Sequence, residues 1–241
     1  MKIGIFGDVH GNVHALKAVL ADGAKNHIDS WICLGDLFMK GPQPFEVAET
    51  MMELVKNEKA TVLLGNTDQW LLNGLPDAFS KDKVLSLTPF IYFARRNLSI
   101  TQMEWLSTLP NQAEMKVGKS KLFATHSCVN DIEKQVMPYC SDDSIIESIT
   151  GKNRNDIKYL TYGHIHMPFF RKVKDIMVFN PGSVGMPFDS EFGGSYAILE
   201  EGMISFRRVK YSVGEIAKIA TGREFPQVEK YVKAIRNGIQ F

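Results

Sequence analysis

The chain has 241 residues, enough for one large domain or two small ones, with 44% hydrophobic and 23% charged residues. A formal net charge of +1 gives no long-range attraction to DNA or to anionic membranes, so neither a long nucleic acid nor a membrane is expected as a partner. Three cysteines without CxxC spacing argue against a disulfide framework and a structural zinc site. The first apolar run is too short for a signal peptide, and we therefore expect a cytoplasmic protein.

The first third of the chain alternates predicted strands with predicted helices. Strands are predicted at residues 2–7, 30–35 and 60–65. Apolar residues at helical spacing follow the first strand at Val13, Leu16 and Leu20, and follow the second at Phe45, Ala48, Met52 and Val55. This alternation indicates a parallel sheet with crossover helices.

The middle of the chain, at about residues 74–111, has helical signals but no clear strand. Ser99 or Thr101, together with Glu104, offers a capping pattern for a helix in this stretch. No polar linker separates the stretch from its neighbours. We therefore interpret it as a helical insertion within a single domain that spans residues 1–241.

The remainder of the chain is predicted to consist mainly of short strands. They lie at residues 113–117, 121–125, 158–162, 169–173, 176–180, 195–199 and 203–209. A short helix is predicted at 143–150. A C-terminal helix is predicted from an apolar face that carries Phe225, Val228, Val232 and Ile235.

Metal-capable side chains follow five of the predicted strands. The motifs are Gly7-Asp8-Val9-His10-Gly11-Asn12, Gly35-Asp36, Gly65-Asn66-Thr67-Asp68, Thr125-His126-Ser127 and Gly163-His164-Ile165-His166. If the strands are neighbours in one sheet or in two facing sheets, these side chains converge on one rim, where α/β sheets bind ligands. Carboxylates mixed with imidazoles suit a divalent transition metal better than Mg²⁺ or Ca²⁺.

Together the motifs offer seven possible metal ligands: Asp8, His10, Asp36, Asn66, His126, His164 and His166. This is about the number that a two-metal site needs when one carboxylate is shared and water completes the coordination. Each motif alone is a common turn or one face of a strand, so the ordered set carries the hypothesis. His14 and His27 lie outside the motifs, and we interpret both as structural.

The ordered set of motifs resembles the calcineurin-like metallophosphoesterase superfamily over essentially the whole chain. The run Asn180-Pro181-Gly182-Ser183-Val184-Gly185, followed by Pro187-Phe188-Asp189, resembles the small bacterial and archaeal phosphodiesterase branch of that superfamily. The resemblance implies an α/β fold, a four-layer α-β-β-α sandwich in which two mixed sheets face each other with helices outside. It also implies a hydrolase that acts on ester or anhydride bonds of phosphate.

The resemblance further implies two divalent metal ions. One is expected on Asp8, His10, Asp36 and His166, and the other on Asp36, Asn66, His126 and His164, with Asp36 bridging. Mn²⁺ is the leading expectation, and Fe, Zn²⁺ or Ni²⁺ are alternatives. Two such cations allow a bridging hydroxide to form at neutral pH and to attack phosphorus in line. Catalytic roles are assigned to Asp36, Asn66 and His126.

Two positions depart from the pattern of the superfamily's phosphatases. Their Asp-Arg pair before Gly-Pro is replaced here by Met39-Lys40, and Lys40 keeps the positive charge without the bidentate fork of arginine. Thr67 stands where those enzymes carry a histidine that orients phosphate and protonates the leaving group. The small phosphodiesterases also lack that histidine, so the departure is compatible with activity.

Asn12, Lys40 and Arg95 are the candidates for substrate contacts, although arginines on a helix surface are more often simply solvated. The leading hypothesis is hydrolysis of a small phosphate ester or nucleotide: a phosphodiester, or a phosphoanhydride such as diadenosine tetraphosphate. A protein Ser/Thr phosphatase is one alternative, against which Thr67 and Met39-Lys40 count. Another is a non-catalytic scaffold like the retromer subunit of the superfamily, for which eroded ligands are expected. The sequence leaves the oligomeric state open.

Overall fold

The computed structural model of the chain describes residues 1–152, 154 and 156–240, within which ten strands and eight helices form. The strands are β1 (Lys2–Phe6), β2 (Ser30–Cys33), β3 (Ala60–Val62), β4 (Gln112–Val117), β5 (Ser120–Thr125), β6 (Tyr159–Tyr162), β7 (Pro168–Val173), β8 (Ile176–Pro181), β9 (Gly194–Glu200) and β10 (Met203–Val209). The helices are α1 (Val13–Lys25), α2 (Pro44–Lys56), α3 (Asn66–Asn73), α4 (Lys81–Asn97), α5 (Ile100–Ser107), α6 (Asp142–Thr150), α7 (Val213–Gly222) and α8 (Val228–Asn237).

The strands form two mixed sheets of five strands each. The first has the order β10-β9-β1-β2-β3 and the second the order β4-β5-β6-β8-β7. Each sheet contains three neighbouring parallel strands: β1, β2 and β3 along one side of the first sheet, and β5, β6 and β8 in the centre of the second. Since parallel strands end at the same edge of a sheet, the loops that follow β1, β2 and β3 emerge together, as do those that follow β5, β6 and β8.

The alternation of side chains along a strand separates the layers of the fold. Ile3 and Ile5 of β1 belong to the core between the two sheets, which also contains Phe179 of β8. Phe6 faces the other way, into the core that the first sheet forms with most of the helices. Helix α6 packs on the outer face of the second sheet through Ile145 and its neighbours. The predicted four-layer α-β-β-α sandwich is thereby confirmed.

Helices α4 and α5 lie within the stretch predicted to be helical, and both join the outer core of the first sheet. The cap of α5 differs from the prediction in its partner. Ser99 Oγ accepts from the Gln102 backbone N–H at 3.2 Å, and Gln102 Oε1 accepts from the Ser99 N–H at 3.0 Å. Gln102, rather than the predicted Glu104, therefore completes the capping box, because only the third helical residue can reach back to the cap. None of the helices in the described part of the chain combines the length and hydropathy needed to cross a membrane.

Three helix boundaries differ from the sequence-based expectation. Helix α3 begins at Asn66, before the stretch predicted to be helical. Helix α7 was not expected, although Ser212 caps it by accepting from the Glu215 N–H at 3.3 Å, a recognisable signal. Helix α8 starts at Val228, so Phe225 precedes the helix and packs in the outer core. The start of α7 therefore follows from a local capping signal, whereas Phe225 lies outside α8 and contributes to the outer core.

The indole of Trp31 occupies space that two glycines leave open. A Cβ atom on Gly4 or on Gly23 would lie 2.2 Å from the ring, so only glycine at both positions permits its observed position. The indole also makes an edge contact with Phe6, at a centroid distance of 5.4 Å. Gly4 and Gly23 thus allow β1, β2 and α1 to pack around one large side chain.

Replacing Gly4 with alanine is expected to destabilise the protein by about 1–3 kcal/mol, because the added methyl group overpacks the space that Trp31 fills. The free energy of unfolding in urea measures this change. Gly214→Ala in α7 is the matched control. A Cβ at Gly214 meets nothing within 4 Å, so that variant should be as stable as the parent or slightly more so. Equal stability of Gly4→Ala and the parent would contradict the packing argument.

Candidate metal centre

Backbone hydrogen bonds hold the loops after β1, β2 and β8 side by side. The N–H of Asp8 donates to the Gly35 carbonyl at 2.9 Å, and the N–H of His10 donates to the Asp36 carbonyl at 2.9 Å. On the other side, the Gly185 N–H donates to the Asp8 carbonyl at 3.0 Å. The motifs after β1 and β2 are therefore locked in register, with their side chains directed to one rim.

The Asn180–Gly185 run supports these loops from below. Asn180 Nδ2 donates to the Gly163 carbonyl at 2.7 Å, beneath the Gly-His-x-His motif. Ser183 Oγ donates to the Asp8 carbonyl at 2.7 Å and accepts from the Met186 N–H at 2.8 Å. These polar side chains are buried and bonded to the loops that carry the candidate ligands. The run therefore has a structural role in placing those loops.

Most of the candidate ligands have a backbone conformation that non-glycine residues rarely adopt. Five of the seven have positive φ angles: Asp8 (54°), His10 (45°), Asp36 (55°), His164 (68°) and His166 (57°). Such a conformation costs on the order of 1–3 kcal/mol per residue and persists only where the surrounding structure enforces it. A cluster of this kind at one rim indicates a functional site.

The first group of candidate ligands surrounds one point. Asp8, His10, Asp36 and His166 each offer an atom, and these atoms all lie within 4.8 Å of one another. His10 Nε2 lies 3.1 Å from His166 Nε2 and 3.5 Å from Asp36 Oδ2. His166 Nε2 lies 3.2 Å from Asp8 Oδ1. Two carboxylates and two imidazoles thus face each other at close range.

The second group lies on the other side of Asp36. Asn66 Oδ1 is 3.0 Å from His126 Nε2 and 3.1 Å from His164 Nδ1. His126 Nε2 is 3.5 Å from Asp36 Oδ1. The two oxygens of Asp36 therefore face different groups, Oδ2 towards His10 and Oδ1 towards His126. A carboxylate in this position has the geometry needed to bridge two ions.

The imidazole contacts show that these groups fit cations. The Nδ1 atoms of His10, His126 and His166 lie 2.6–2.9 Å from backbone carbonyls, which only accept, so each Nδ1 carries the proton and each Nε2 has a free lone pair. Two such lone pairs, on His10 and His166, face each other at 3.1 Å and cannot hydrogen-bond to each other. Metal–ligand bonds of about 2.0–2.2 Å separate neighbouring ligands on one ion by about 3–3.5 Å. The contacts described above between neighbouring donors, at 3.0–3.5 Å, match that range.

The charge states of the site also favour a cation. Burial opposes ionisation of Asp8 and Asp36, yet the neighbouring imidazoles hold the pKa of each carboxyl below its ordinary value. Burial lowers the pKa of His10 and of His164 to about 4. Burial opposes protonation of His126, yet the Asp36 and Asp8 carboxylates raise its pKa. At neutral pH the site therefore holds two negative carboxylates together with the unprotonated imidazoles of His10 and His164.

A cleft of about 590 Å³ opens over these groups, and Asp36, Asn66 and His164 form part of its wall. Lys40 and Lys83 line the same cleft. Burial lowers the pKa of Lys40, and the nearby Asp36 carboxylate acts in the opposite direction. Lys83 is exposed, with its Nζ 3.3 Å from the centre of the Phe79 ring. Lys83, from helix α4, was not identified from the sequence, because a surface lysine has no distinguishing local signal.

Two of the residues predicted to contact substrate are used within the fold. Asn12 is fully buried; its Oδ1 accepts from the Ala15 N–H at 3.0 Å and caps α1, and its Nδ2 donates to the Gly185 carbonyl at 3.2 Å. Arg95 donates to the Leu71 carbonyl at 2.7 and 3.0 Å and is not among the residues that line the cleft. These contacts give each side chain a structural role, and the predicted substrate contacts of Asn12 and Arg95 stay predictions.

Thr67 lines the cleft, whereas Asp68 is fully buried behind it. Burial and the nearby Asp36 carboxylate raise the pKa of Asp68 to about 7. Its oxygens accept from the backbone N–H groups of Leu37 at 2.9 Å and of Gly65 at 3.1 Å. Asp68 therefore fastens two ligand loops together and does not face the cleft.

Glu133 is a residue of the site that the sequence analysis missed. It lies between β5 and α6 and lines the cleft. Its carboxylate accepts from Asn66 Nδ2 at 3.2 Å and from Trp70 Nε1 at 2.7 Å, and its backbone carbonyl lies 3.3 Å from His164 Nε2. Burial raises the pKa of the Glu133 carboxyl. Glu133 lies outside every motif and 67 residues from Asn66 in sequence, so no local pattern reveals it.

A sandwich of two mixed sheets, with carboxylates and imidazoles gathered at its rim, defines a class of metal-dependent hydrolases. Residues 1–202 match the calcineurin-like phosphoesterase superfamily domain, and the chain belongs to that superfamily. The family is metal-dependent, which agrees with the donor set described above.

Relatives of known sequence or structure agree with this assignment. The phosphodiesterase YfcE of Escherichia coli is 26% identical over 213 residues, which cover 85% of this chain and 90% of YfcE. An uncharacterized protein of Methanocaldococcus jannaschii is 26% identical over 229 residues, 88% of each chain. Among solved structures, a metallophosphoesterase from Sphaerobacter thermophilus superposes with a TM-score of 0.77 at 23% identity, over 99% of this chain and all of that one. A hypothetical protein of Pyrococcus horikoshii gives 0.84 at 20% identity, over 98% of each chain.

Asp36→Asn is expected to weaken metal binding at both groups of ligands, whereas Asp8→Asn should weaken it mainly at one, because among the described candidate ligands Asp36 alone faces both groups. Calorimetric titration of metal-free protein with Mn²⁺ measures the two affinities. Asp82→Asn, on the exposed start of α4, is a control that should bind as the parent does. Two full-affinity Mn²⁺ sites in Asp36→Asn would rule out a shared carboxylate.

Proposed function

We propose that the protein is a dinuclear metal-dependent phosphoesterase that hydrolyses small phosphodiesters or phosphoanhydrides. Dinucleoside polyphosphates such as diadenosine tetraphosphate are among the substrates proposed. The observation that carries this proposal is the position of Asp36, whose two carboxylate oxygens face two separate groups of ligands at the floor of an open cleft. The description of the related protein YfcE as a phosphodiesterase supports the same chemistry.

The seven candidate ligands divide the work between them. Asp8, His10 and His166 would hold one ion, Asn66, His126 and His164 the other, and Asp36 both. Two divalent ions here, Mn²⁺ being our first choice, would lower the pKa of a water to supply the nucleophile and would offset charge on the phosphate oxygens. Asn66 would ligate through a neutral amide oxygen, so the site keeps only two carboxylate charges against two dications.

The walls of the cleft would select the substrate. Lys40 and Lys83 supply positive charge beside the ligands, which would attract an anionic substrate. Lys83 and Leu87 of α4 contribute to the same wall, which supports a role for the helical insertion at about residues 74–111 in covering the metal rim.

The donor set counts against a purely structural role for the fold. A binding scaffold has no need of ligand geometry, and here all seven donors converge at separations suited to metal coordination. Against a protein phosphatase stands the absence of a titratable group at position 67, where Thr67 lines the cleft.

Hydrolysis rates should depend steeply on the pKa of the leaving group, because Thr67 cannot supply a proton to it. Thr67 carries a hydroxyl that does not titrate near neutral pH, and Asp68 is bonded to two backbone N–H groups behind the cleft. A general acid is worth roughly a hundred- to ten-thousand-fold for a poor leaving group. With Mn²⁺ supplied, aryl diesters and phosphoanhydrides should therefore be cleaved well and alkyl monoesters poorly.

The measurement is a series of rates across aryl and alkyl esters for the parent, Thr67→Val and Thr67→His. Thr67→Val keeps the shape of the side chain and should reproduce the parent's slope. Thr67→His should increase the hydrolysis rate most for alkyl esters. A flat series in the parent would contradict this prediction, since it would show that another residue supplies the proton. No hydrolysis of any ester in the presence of Mn²⁺ would overturn the proposed function itself.

Lys83→Ala is expected to raise KM for nucleoside polyphosphates several-fold, with a smaller effect on a bis-aryl phosphodiester, because polyphosphates carry more negative charge into the cleft. Steady-state kinetics at low and high salt measure the effect, which should shrink as salt screens the charge. Lys81→Ala is the control, since Lys81 is an exposed lysine on the same helix that does not line the cleft. Equal changes in the two variants would mean that only overall charge matters.

A further inference from the structure

The side chain of Glu133 bridges two residues on one face of helix α3. One oxygen accepts from Asn66 Nδ2 at 3.2 Å and the other from Trp70 Nε1 at 2.7 Å. Asn66 and Trp70 are four residues apart and so lie above one another on the helix. Helix α3 is therefore tied, through the first turn that carries Asn66, to the segment between β5 and α6.

The contact with Glu133 decides which end of the Asn66 amide faces the candidate ligands. An amide group has an oxygen that accepts and a nitrogen that donates, and only the oxygen can bind a cation. An ionised carboxylate only accepts, so Glu133 selects the nitrogen. Asn66 Oδ1 is thereby turned towards His126 Nε2 at 3.0 Å and His164 Nδ1 at 3.1 Å.

Trp70 in turn fixes the carboxylate of Glu133. The indole Nε1–H can only donate, and it holds Oε1 at 2.7 Å, which leaves Oε2 directed at Asn66. Trp70 is itself held in the core, where it packs edge-on against Phe79 at a centroid distance of 5.4 Å. The orientation of Asn66 is thus determined by a chain of contacts that ends in a buried ring.

The backbone of Glu133 acts on a second ligand. Its carbonyl lies 3.3 Å from His164 Nε2, and because a carbonyl only accepts, Nε2 carries the proton. The lone pair of His164 is then on Nδ1, the atom that faces Asn66 Oδ1. His164 therefore presents the opposite ring nitrogen from the three other histidines of the site, and the carbonyl of Glu133 accounts for the difference.

We propose that Glu133 is a positioning residue for one metal ion of the pair, the ion held by Asp36, Asn66, His126 and His164. Its direct contacts are with Asn66 and His164, both in that group. The other group contains Asp8, His10 and His166, whose orientation is set by the carbonyls of Met39 and Met186. This inference rests on the proposed dinuclear site, and it predicts that the two ions respond differently to loss of the Glu133 side chain.

Titration of metal-free protein with Mn²⁺, followed by calorimetry and by electron paramagnetic resonance, tests the inference. The parent is expected to bind two ions and to show the spectrum of a spin-coupled pair. Glu133→Ala should weaken one binding event by about 10- to 100-fold, the usual effect of removing a residue that orients a ligand, and should lose the coupled spectrum while it still binds one ion. The affinity of Glu133→Gln for this ion should lie between those of the parent and Glu133→Ala, because the single carbonyl oxygen of glutamine can serve only one of the two donors, Asn66 Nδ2 and Trp70 Nε1.

Two further variants complete the experiment. Trp70→Phe keeps the ring but removes the donor that fixes Glu133, and it should weaken the same binding event by a smaller factor. Gln135 lies two positions after Glu133 in the same segment. Gln135→Ala is the control and should bind both ions as the parent does. The melting temperature of each metal-free variant, compared with the parent, separates a change in metal affinity from a loss of the fold.

The outcomes separate this inference from the proposed function. Two binding events of unchanged affinity in both Glu133→Ala and Trp70→Phe would overturn the role of Glu133 alone. Equal weakening of both events in Glu133→Ala would also overturn it, since the role is confined to one group. A parent that binds a single Mn²⁺ would overturn the dinuclear site, and this inference with it. If Glu133→Ala does not fold, Glu133→Gln and Trp70→Phe decide by the same criterion.

Discussion

The site depends on one buried carboxylate, that of Asp36, placed between two sets of imidazoles. Its Oδ1 accepts from the Thr67 N–H at 2.9 Å, which aims the group, and Gly65 makes room for it, since a Cβ there would lie 2.2 Å from that oxygen. A negative charge so deeply buried is costly unless opposite charges surround it. The neighbouring imidazoles favour the ionised form of Asp36, and a pair of cations would supply full positive charge at the same place.

That arrangement needs the edges of two separate sheets. Asp8, His10, Asp36 and Asn66 follow strands of the first sheet, while His126, His164 and His166 follow strands of the second. The loops are held by backbone hydrogen bonds and by Asn180 and Ser183, and left-handed backbone at five ligands shows how strictly they are held. Rigid support of this kind keeps donors at fixed separations without a bound ion, so that little ordering is needed when an ion binds.

The second ligand group is oriented by contacts different from those that orient the first. In the first, each imidazole is fixed by the backbone carbonyl of a loop, whereas Asn66 and His164 both depend on Glu133. Glu133 also lines the cleft beside Lys40 and Lys83. If Glu133 orients one ion as we propose, the same segment, which has no regular secondary structure, would link metal affinity to the choice of substrate.

The sequence by itself determined the ten strands, the four-layer class of the fold and the set of candidate ligands. The strands and the candidate ligands follow from local signals, namely the apolar spacing of each element and the short motif at the end of each strand, whereas the four-layer class was implied by the resemblance to the superfamily. Only the tertiary structure decided that Gln102 rather than Glu104 caps α5, that Arg95 is bonded to Leu71, and that Lys83 lines the cleft. It alone revealed Glu133, because a contact between residues 67 positions apart leaves no pattern in either segment. Periodicity and turn motifs encode backbone geometry, but the partner of a polar side chain is set by which distant segments the fold brings within hydrogen-bonding distance.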